Sequence, residues 1–170
     1  MRVLIIFILL VLVVGFAYSS DISFSLGSSF YGDGVGGVLV IGIGEKFEKL
    51  LGVAFPLYGK FSLMGEYARG VEGDYYVDVI DIGAFIGVEL TTKFENFGVG
   101  VGVDFGGLYF YGSGQDNNLS SFVFRVIPKG IVSYMFTDSF SVLGEVGYSA
   151  GISSFYLGNM YFSLGIRLGV

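Results

Sequence analysis

The sequence predicts an all-β protein, an antiparallel up-and-down β-barrel most consistent with eight strands, and three observations predict it. Nearly all of residues 20–170 alternate bulky apolar residues with small or polar ones at the two-residue period of a strand. Short turn-like stretches alternate with longer polar ones, which is the rhythm of an antiparallel meander. The chain has 29 Gly and only 2 Pro, and Gly is unfavourable in helices.

The composition excludes several classes of protein and of site. The 170 residues suit one domain, and only 14% of them are charged, against roughly 25% in a typical soluble domain. Cys and His are absent, which excludes disulfides, thiolate metal sites and the commonest general base and metal ligand. We therefore expect no cofactor and no metal. The net charge of −6 argues against a nucleic-acid partner, because phosphate binding requires basic patches.

The first residues have the pattern of an export signal. Arg2 supplies a positive charge, residues 3–14 form an unbroken apolar run, and Ala17 and Ser19 place small residues two apart. We predict cleavage after Ser19, with Ala17 as the second candidate, so that residues 1–19 form a signal peptide and the remainder a single barrel domain. An uncleaved anchor is the alternative, although a spanning helix needs about 20 apolar residues.

The strand count depends on where the turns fall. The sequence predicts tight turns on one side of the sheet and longer loops on the other: turns at 58–60, 93–96 and 137–139, loops at 71–75, 112–120 and 151–158. These connections define strands two to eight from about Lys49 onward. Residues 20–48 must then supply one spanning strand, although they contain two candidates, 21–31 and 35–44. We predict eight strands with one candidate not spanning, and ten strands as the alternative, because bacterial barrels have even counts.

The two faces of the strands differ in a way that predicts which one lies inside. One face is bulky throughout, and the other is mostly Gly and Ser with one or two charges per strand. In a soluble sandwich the bulky face would form the core, and there are too many bulky residues for a core of that size. The other face would meet water and would need more polar residues than the Gly and Ser that it carries. With the bulky face on lipid, Gly and Ser fit a narrow lumen, and closure pairs every backbone polar group. The sequence therefore predicts a transmembrane barrel.

Aromatic residues near the strand ends are candidates for the interfacial belts of such a barrel. They are Tyr58, Phe94, Phe97, Tyr109, Tyr111, Tyr134 and Phe136.

Charged residues of both signs fall on the predicted lumen face, as burial requires. They are Glu66, Asp81, Glu89, Asp104, Arg125, Lys129, Glu145 and Arg167. Folding each hairpin at its loop centre places Lys129 between Asp104 on the preceding strand and Glu145 on the following strand. Arg167, on the last strand, then lies diagonally across from Glu145. This predicts a polar chain Asp104–Lys129–Glu145–Arg167. Such a network either fills and stiffens the lumen or gates a narrow water path.

Glu66 and Asp81 fall opposite each other by the same folding. Two adjacent carboxylates can share a proton, bind a cation or act in acid–base chemistry, but we favour an ion pair in which Arg125 reaches them across the lumen. The "GVGVGVD" stretch at 98–104 has Gly at the strand period and lacks the helix start that phosphate-binding loops need. We interpret these glycines as small residues that leave space for other side chains in a narrow lumen.

The signal peptide, the hairpin "YMFTDSFSVLGEVGYSAG" and the closing "SLGIRLGV" resemble the small outer-membrane β-barrel proteins of diderm bacteria, of the eight-stranded OmpA/OmpX-like type. The end of the chain is the most specific part. Ser163, Gly165, Leu168 and Val170 are similar to the signal by which the barrel-assembly machinery recognises a last strand. Members of this family usually end on an aromatic residue, and this chain ends on Val170.

The resemblance implies a monomer in the bacterial outer membrane, in contact with outer-membrane lipid and without a C-terminal periplasmic domain. It implies a structural or surface-interaction role, such as membrane integrity or adhesion, with a surface ligand at loops 71–75, 112–120 and 151–158. A narrow porin-like channel for ions or small solutes and a soluble periplasmic lipid-binding barrel are the alternatives. We expect no enzyme, because barrel enzymes of this membrane rely on His with Ser or Asp, and His is absent.

Overall fold

The computed structural model forms one closed barrel of eight antiparallel strands in up-and-down order. It describes residues 21–31, 34–50, 53–72, 75–113, 118–151 and 158–169. The strands are β1 (Asp21–Tyr31), β2 (Gly34–Leu50), β3 (Val53–Glu72), β4 (Tyr75–Phe94), β5 (Phe97–Ser113), β6 (Asn118–Thr137), β7 (Phe140–Gly151) and β8 (Asn159–Gly169). Each strand pairs with the next, and β1 pairs with β8 to close the barrel.

The residues that the structure describes include no helix long and apolar enough to cross a membrane.

Eight strands are confirmed, but two boundaries differ from the sequence prediction. The turn predicted at 58–60 is wrong, because these residues lie inside β3. Their composition is that of a turn, yet the alternation continues through them, and the side chains of Tyr58, Lys60 and Ser62 are all buried. The prediction that one of 21–31 and 35–44 does not span is also wrong: both belong to strands of the barrel, and 21–31 pairs with the last strand.

The two ends of the barrel are built differently. Tight turns at Glu95–Asn96 and Asp138–Ser139 confirm the turns predicted at 93–96 and 137–139, and they define what we call the turn end. At the opposite end, the loop end, β5 and β6 extend into the predicted 112–120 loop.

The signal peptide and the tips of the predicted loops lie outside the described residues. The residues concerned are 1–20, 73–74, 114–117 and 152–157.

The turn between β4 and β5 contains a strained residue. Glu95 has φ of 54° and is the only non-glycine residue with positive φ in the part of the chain that the structure describes. A side chain in this region costs about 1–2 kcal/mol, and Gly avoids that cost at some expense in unfolded-state entropy. We expect Glu95→Gly to raise the free energy of unfolding by about 0.5–1 kcal/mol, measured by urea titration in lipid vesicles.

The neighbouring position is the matched control for this turn. Asn96 has no positive φ, so Asn96→Gly adds only flexibility, and we expect it to leave stability unchanged or lower it. Equal stabilisation by both variants would show that strain at Glu95 is not the cause.

The bulky face of the barrel lies outside. Leu26 is 67% exposed, Ile86 is 69% exposed and Leu164 is 62% exposed, whereas Ser29 and Ser163 in the lumen are fully buried. This arrangement inverts that of a soluble protein and suits lipid tails. A soluble calyx would need the bulky face inside, so the structure contradicts the lipid-binding alternative.

Six of the seven predicted belt aromatics are exposed on the outside, near the strand ends. They are Phe94, Phe97, Tyr109, Tyr111, Tyr134 and Phe136. Tyr58 is the exception: its side chain is 3% exposed and points into the lumen. Its assignment to a belt is wrong, because residues 58–60 lie inside β3 and not at a strand end.

Candidate functional site: the lumen

Glycine on one strand makes room for a charged side chain from the next. A Cβ added at Gly102 would lie 2.9 Å from Cε of Lys129 and 3.2 Å from Cγ of Glu89. A Cβ at Gly42 would lie 2.5 Å from Cε of Lys60. The long charged side chains therefore lie flat over neighbouring glycines, which is how this narrow barrel accommodates them.

The first of two buried ionic groups, the upper ionic group, lies toward the loop end and consists of Arg125, Glu66, Asp81 and Asn159. Arg125 donates from Nη1 to Glu66 Oε2 at 2.9 Å and from Nη2 to Asp81 Oδ2 at 2.6 Å. Asn159 Nδ2 donates to Glu66 Oε1 at 2.9 Å. Glu66 and Asp81 are direct partners in the β3–β4 register. One guanidinium thus binds both carboxylates from across the lumen, as we favoured from the sequence.

The second, the lower ionic group, is centred on Glu89, whose side chain is fully buried. Glu89 Oε1 accepts a hydrogen bond from Lys129 Nζ at 2.9 Å, and its Oε2 accepts one from Arg167 Nη2 at 2.8 Å. Lys60 Nζ lies 3.8 Å from Glu89 Oε1. One carboxylate therefore contacts cations from three different strands, β3, β6 and β8.

Two further carboxylates complete the lower ionic group. Lys129 Nζ also donates to Asp104 Oδ2 at 2.9 Å, and Lys60 Nζ donates to Glu145 Oε1 at 3.4 Å. The group thus holds three cations and three carboxylates. Because the charges balance, each buried charge has an opposite partner, which burial demands.

The predicted chain Asp104–Lys129–Glu145–Arg167 is corrected in its second half. The Asp104–Lys129 contact is present, but Arg167 contacts Glu89 and Glu145 contacts Lys60. Folding hairpins relates only adjacent strands, whereas these contacts cross the lumen.

Lys60 was missed because 58–60 was assigned to a turn. The two-residue alternation that runs back from Glu66 through Ser62 to Lys60 was the signal that could have found it.

An apolar layer separates the two ionic groups. Its members are buried side chains from six strands: Val38, Val40, Met64, Phe85, Leu108, Ile127 and Tyr161. Along β6 the lumen-facing order is Arg125, Ile127, Lys129, and Ile127 is 1% exposed. The lumen is therefore filled by alternating ionic and apolar layers.

A cavity of about 390 Å³ opens at the turn end, below the lower ionic group. We call it the turn-end vestibule, and its polar lining includes Asp21, Lys46, Tyr58, Lys93, Ser133 and Arg167. The Arg167 guanidinium carbon lies 4.2 Å from the centroid of the Tyr58 ring, within cation–π range. In the part of the chain that the structure describes, no cluster of three or more acidic residues is placed to hold a metal ion.

The predicted insertion signal lies at the seam between β8 and β1. Ser163 is fully buried, and Leu168 is 37% exposed on the outer face. A Cβ added at Gly165 would meet the Phe24 carbonyl oxygen of β1. Val170 lies outside the described residues. Gly165 therefore has a packing reason to be glycine, in addition to any part in assembly.

No protein-family model matches the sequence, and no curated protein matches it. Solved structures do match. A major outer membrane protein from Thermus thermophilus aligns with a TM-score of 0.61 and 13% identity, over 87% of this chain and 98% of that one. Neisserial surface protein A aligns with a TM-score of 0.60 and 11% identity, over 88% and 95%. The outer membrane enzyme PagL aligns with a TM-score of 0.53 and 18% identity, over 88% and 99%.

At such low identity these similarities show the fold alone, and they agree with the closed barrel and its apolar exterior. The chain therefore has the fold of the small outer-membrane β-barrels, an eight-stranded transmembrane barrel with a filled lumen.

Proposed function

We propose that this protein is an outer-membrane barrel with a structural or surface-interaction role, in membrane integrity or adhesion, and not an open pore. The observation that carries the proposal is the filled lumen. Arg125, Ile127 and Lys129 are successive inward side chains of β6, and each is at most 5% exposed. A transported ion or solute would have to displace both ionic groups and the apolar layer, and breaking a buried ion pair is costly.

Export, assembly and location are part of the same proposal. Residues 1–19 direct export, and Ser163, Gly165, Leu168 and Val170 form the signal for the barrel-assembly machinery. Two structurally similar proteins support that location: the major outer membrane protein from Thermus thermophilus and Neisserial surface protein A. Because the barrel leaves no unpaired sheet edge, we propose a monomer surrounded by lipid.

The surface ligand, if the role is adhesion, would contact the loop end, where 71–75, 112–120 and 151–158 connect the strands. Arg69 and Asp78 form an exposed ion pair there, with Nε and Oδ1 2.9 Å apart, so the charged surface of the barrel begins above the apolar band.

We propose no enzymatic activity. The fold does not decide this, because PagL is an enzyme. What supports the proposal is the absence of His and the burial of the Glu66–Asp81 pair, whose carboxylates are both held by Arg125. Neither residue is more than 4% exposed, so a substrate has no access to them.

Conductance tests the filled lumen. We expect the purified barrel to give no discrete channel openings in a planar bilayer, since both ionic groups and the apolar layer obstruct the path. Discrete openings in the wild type would contradict the proposal. Openings altered by both Lys129→Ala and Glu145→Ala, but not by Arg69→Gln at the exposed loop end, would establish the narrow channel instead.

Location is tested by fractionating cells of the source bacterium and comparing unboiled with boiled samples on a gel. We expect an outer-membrane pool whose band shifts on heating, because a closed barrel resists detergent until it is heated. A freely soluble periplasmic protein would contradict the proposed location.

A further inference from the structure

Pro128 lies in the middle of β6, a strand that is paired on both sides. Proline has no backbone N–H, so in a sheet it is confined almost entirely to edge strands, first residues and bulges. Its ring is exposed on the outer face of the barrel. Because the eight strands form a closed barrel, β6 has no free edge toward which the missing donor could point. One of its two neighbours must therefore lose a hydrogen bond.

The strand register shows that β7 is the neighbour that loses it. The β5–β6 register is continuous through Pro128, whereas the β6–β7 register omits residues 127–128. The Met135 N–H donates to the Asn96 carbonyl on the β5 side, so the odd-numbered amides of β6 point to β5 and the even-numbered ones to β7. The pairs on either side of the gap place Pro128 opposite Tyr148. The Tyr148 carbonyl therefore receives no hydrogen bond from β6.

A carbonyl without a donor is costly in the middle of a membrane-spanning wall, because the hydrocarbon region holds no water to replace the missing hydrogen bond. Around the gap, Gly130, Gly144 and Gly147 each take one place in a cross-strand pair, so pairs of side chains add little. A second irregularity of the same register lies between Met135 and Thr137. The link between β6 and β7 is therefore weaker than the link between β5 and β6, whose register shows no interruption.

Ser149 lies on the lumen side of the same gap. The register places it opposite Ile127, its side chain is fully buried, and its hydroxyl has no partner among the described residues. Its partner on β8 is Asn159, a member of the upper ionic group. The Tyr148 carbonyl and the Ser149 hydroxyl are thus consecutive polar groups, and both gain hydrogen bonds if the strands part and water enters.

We propose that the β6–β7 pair is a built-in lateral opening of the barrel, in which the two strands part locally around Pro128 while the rest of the wall stays paired. The open state hydrates two polar groups that the closed state leaves without partners, so it costs less free energy than the same movement at β5–β6. The opening leads sideways from the membrane to Ser149 and the upper ionic group, and not along the barrel axis. It is therefore independent of the proposed role and compatible with a filled lumen.

Hydrogen–deuterium exchange tests the opening within one strand, followed by NMR on the refolded barrel in lipid nanodiscs. The amides of Val126 and Gly130 point to β7, whereas those of Ile127 and Lys129 point to β5 at the same depth. We expect the first two amides to exchange about tenfold faster, the effect of roughly one net hydrogen bond. Equal protection on the two sides of β6 would overturn the proposal, and this comparison needs no substitution.

Pro128→Ala supplies the missing N–H. It should slow the exchange of the Val126 and Gly130 amides about tenfold. Val132→Ala is the matched control: it also places Ala on the exposed outer face of β6, but it changes no backbone donor, so exchange should stay as in the wild type. The same slowing in both variants, or no slowing in Pro128→Ala, would show that the missing donor does not cause the opening.

Access from the membrane is tested with thiols, because the chain has no Cys of its own. Ser149→Cys should react with N-ethylmaleimide, a small lipid-soluble reagent, and the added Pro128→Ala should slow that reaction about tenfold. Ser29→Cys is the control, because Ser29 is equally buried in the lumen but lies on β1, whose registers with β2 and β8 are continuous. Equal reactivity of the two thiols, or equally fast reaction of Ser149→Cys with a charged, membrane-impermeant maleimide, would contradict a lateral route. Neither result bears on the conductance test.

Discussion

Glu89→Gln is expected to lower the free energy of unfolding by about 3–5 kcal/mol. Glu89 is fully buried and contacts three cations, with Lys129 and Arg167 at 2.9 and 2.8 Å. The amide keeps the size of the side chain but removes the charge, so the lower ionic group is left with an uncompensated positive charge in the centre of the barrel. Urea unfolding of the barrel in lipid vesicles, followed by circular dichroism because the chain has no Trp, measures the loss.

The matched control is Glu95→Gln, the same change at an exposed turn residue. It should alter stability by less than about 0.5 kcal/mol. A double-mutant cycle of Glu89→Gln with Lys129→Met then isolates the pair, and we expect a coupling of about 1–3 kcal/mol. A cost at Glu89 no larger than at Glu95, or a coupling near zero, would show that the group only fills space and that its charges do not stabilise the barrel.

Gly27→Ala is expected to destabilise the barrel by about 1–3 kcal/mol, the cost of overpacking a closely packed site. Gly27 pairs with Ser163 at the seam where β1 closes on β8. A Cβ there would meet the Phe162 carbonyl oxygen and would lie 2.6 Å from Cα of Ser163. Both are backbone atoms, which cannot move aside as a flexible side chain can, so the seam itself must open.

Gly65→Ala on the outer face of β3 is the matched control. Nothing lies within 4 Å of a Cβ added there, and Ala removes the entropic cost of Gly, so we expect a gain of about 0.5–1 kcal/mol. Folding yield is read from the heat-shifted band on a gel and stability from urea titration. If both variants change the free energy of unfolding by the same amount, close packing between β1 and β8 at Gly27 is not what determines whether the barrel closes.

Much of the architecture follows from local pattern. Period-two alternation with a bulky and a small face predicted the barrel and its inverted faces, since each inference needs only side-chain size and polarity along one strand. The count of eight came from the turns and from the even strand numbers of bacterial barrels, with 58–60 wrongly assigned to a turn and one of 21–31 and 35–44 wrongly expected not to span.

The turns at 93–96 and 137–139 follow from short turn-like stretches that interrupt the alternation, and the structure confirms both. The turn prediction at 58–60 is wrong because the turn-like composition of these residues conflicts with the two-residue alternation, which continues through them. As a result, the buried side chains of Tyr58 and Lys60 were both absent from the predicted lumen.

Site geometry followed from the strand register only where the partners lie on neighbouring strands. The exception is Arg125, whose reach across the lumen to Glu66 and Asp81 was inferred from the need to balance two adjacent carboxylates. Glu66 opposite Asp81 and the Asp104–Lys129 contact belong to adjacent strands, β3–β4 and β5–β6. The contacts of Glu89 with Lys129 and Arg167 join strands that are not neighbours.

The sequence by itself determined that this chain spans with strands, which face meets lipid and, apart from Lys60, which charges lie inside, because these depend on alternation along the chain. Only the tertiary structure decided how the lower ionic group is connected beyond the Asp104–Lys129 contact, that Glu89 is its centre, and that the lumen is filled above the turn-end vestibule. These features depend on the closure and curvature of the barrel, which bring strands that are distant in sequence within the length of a side chain. The pairing of two adjacent strands cannot predict such contacts.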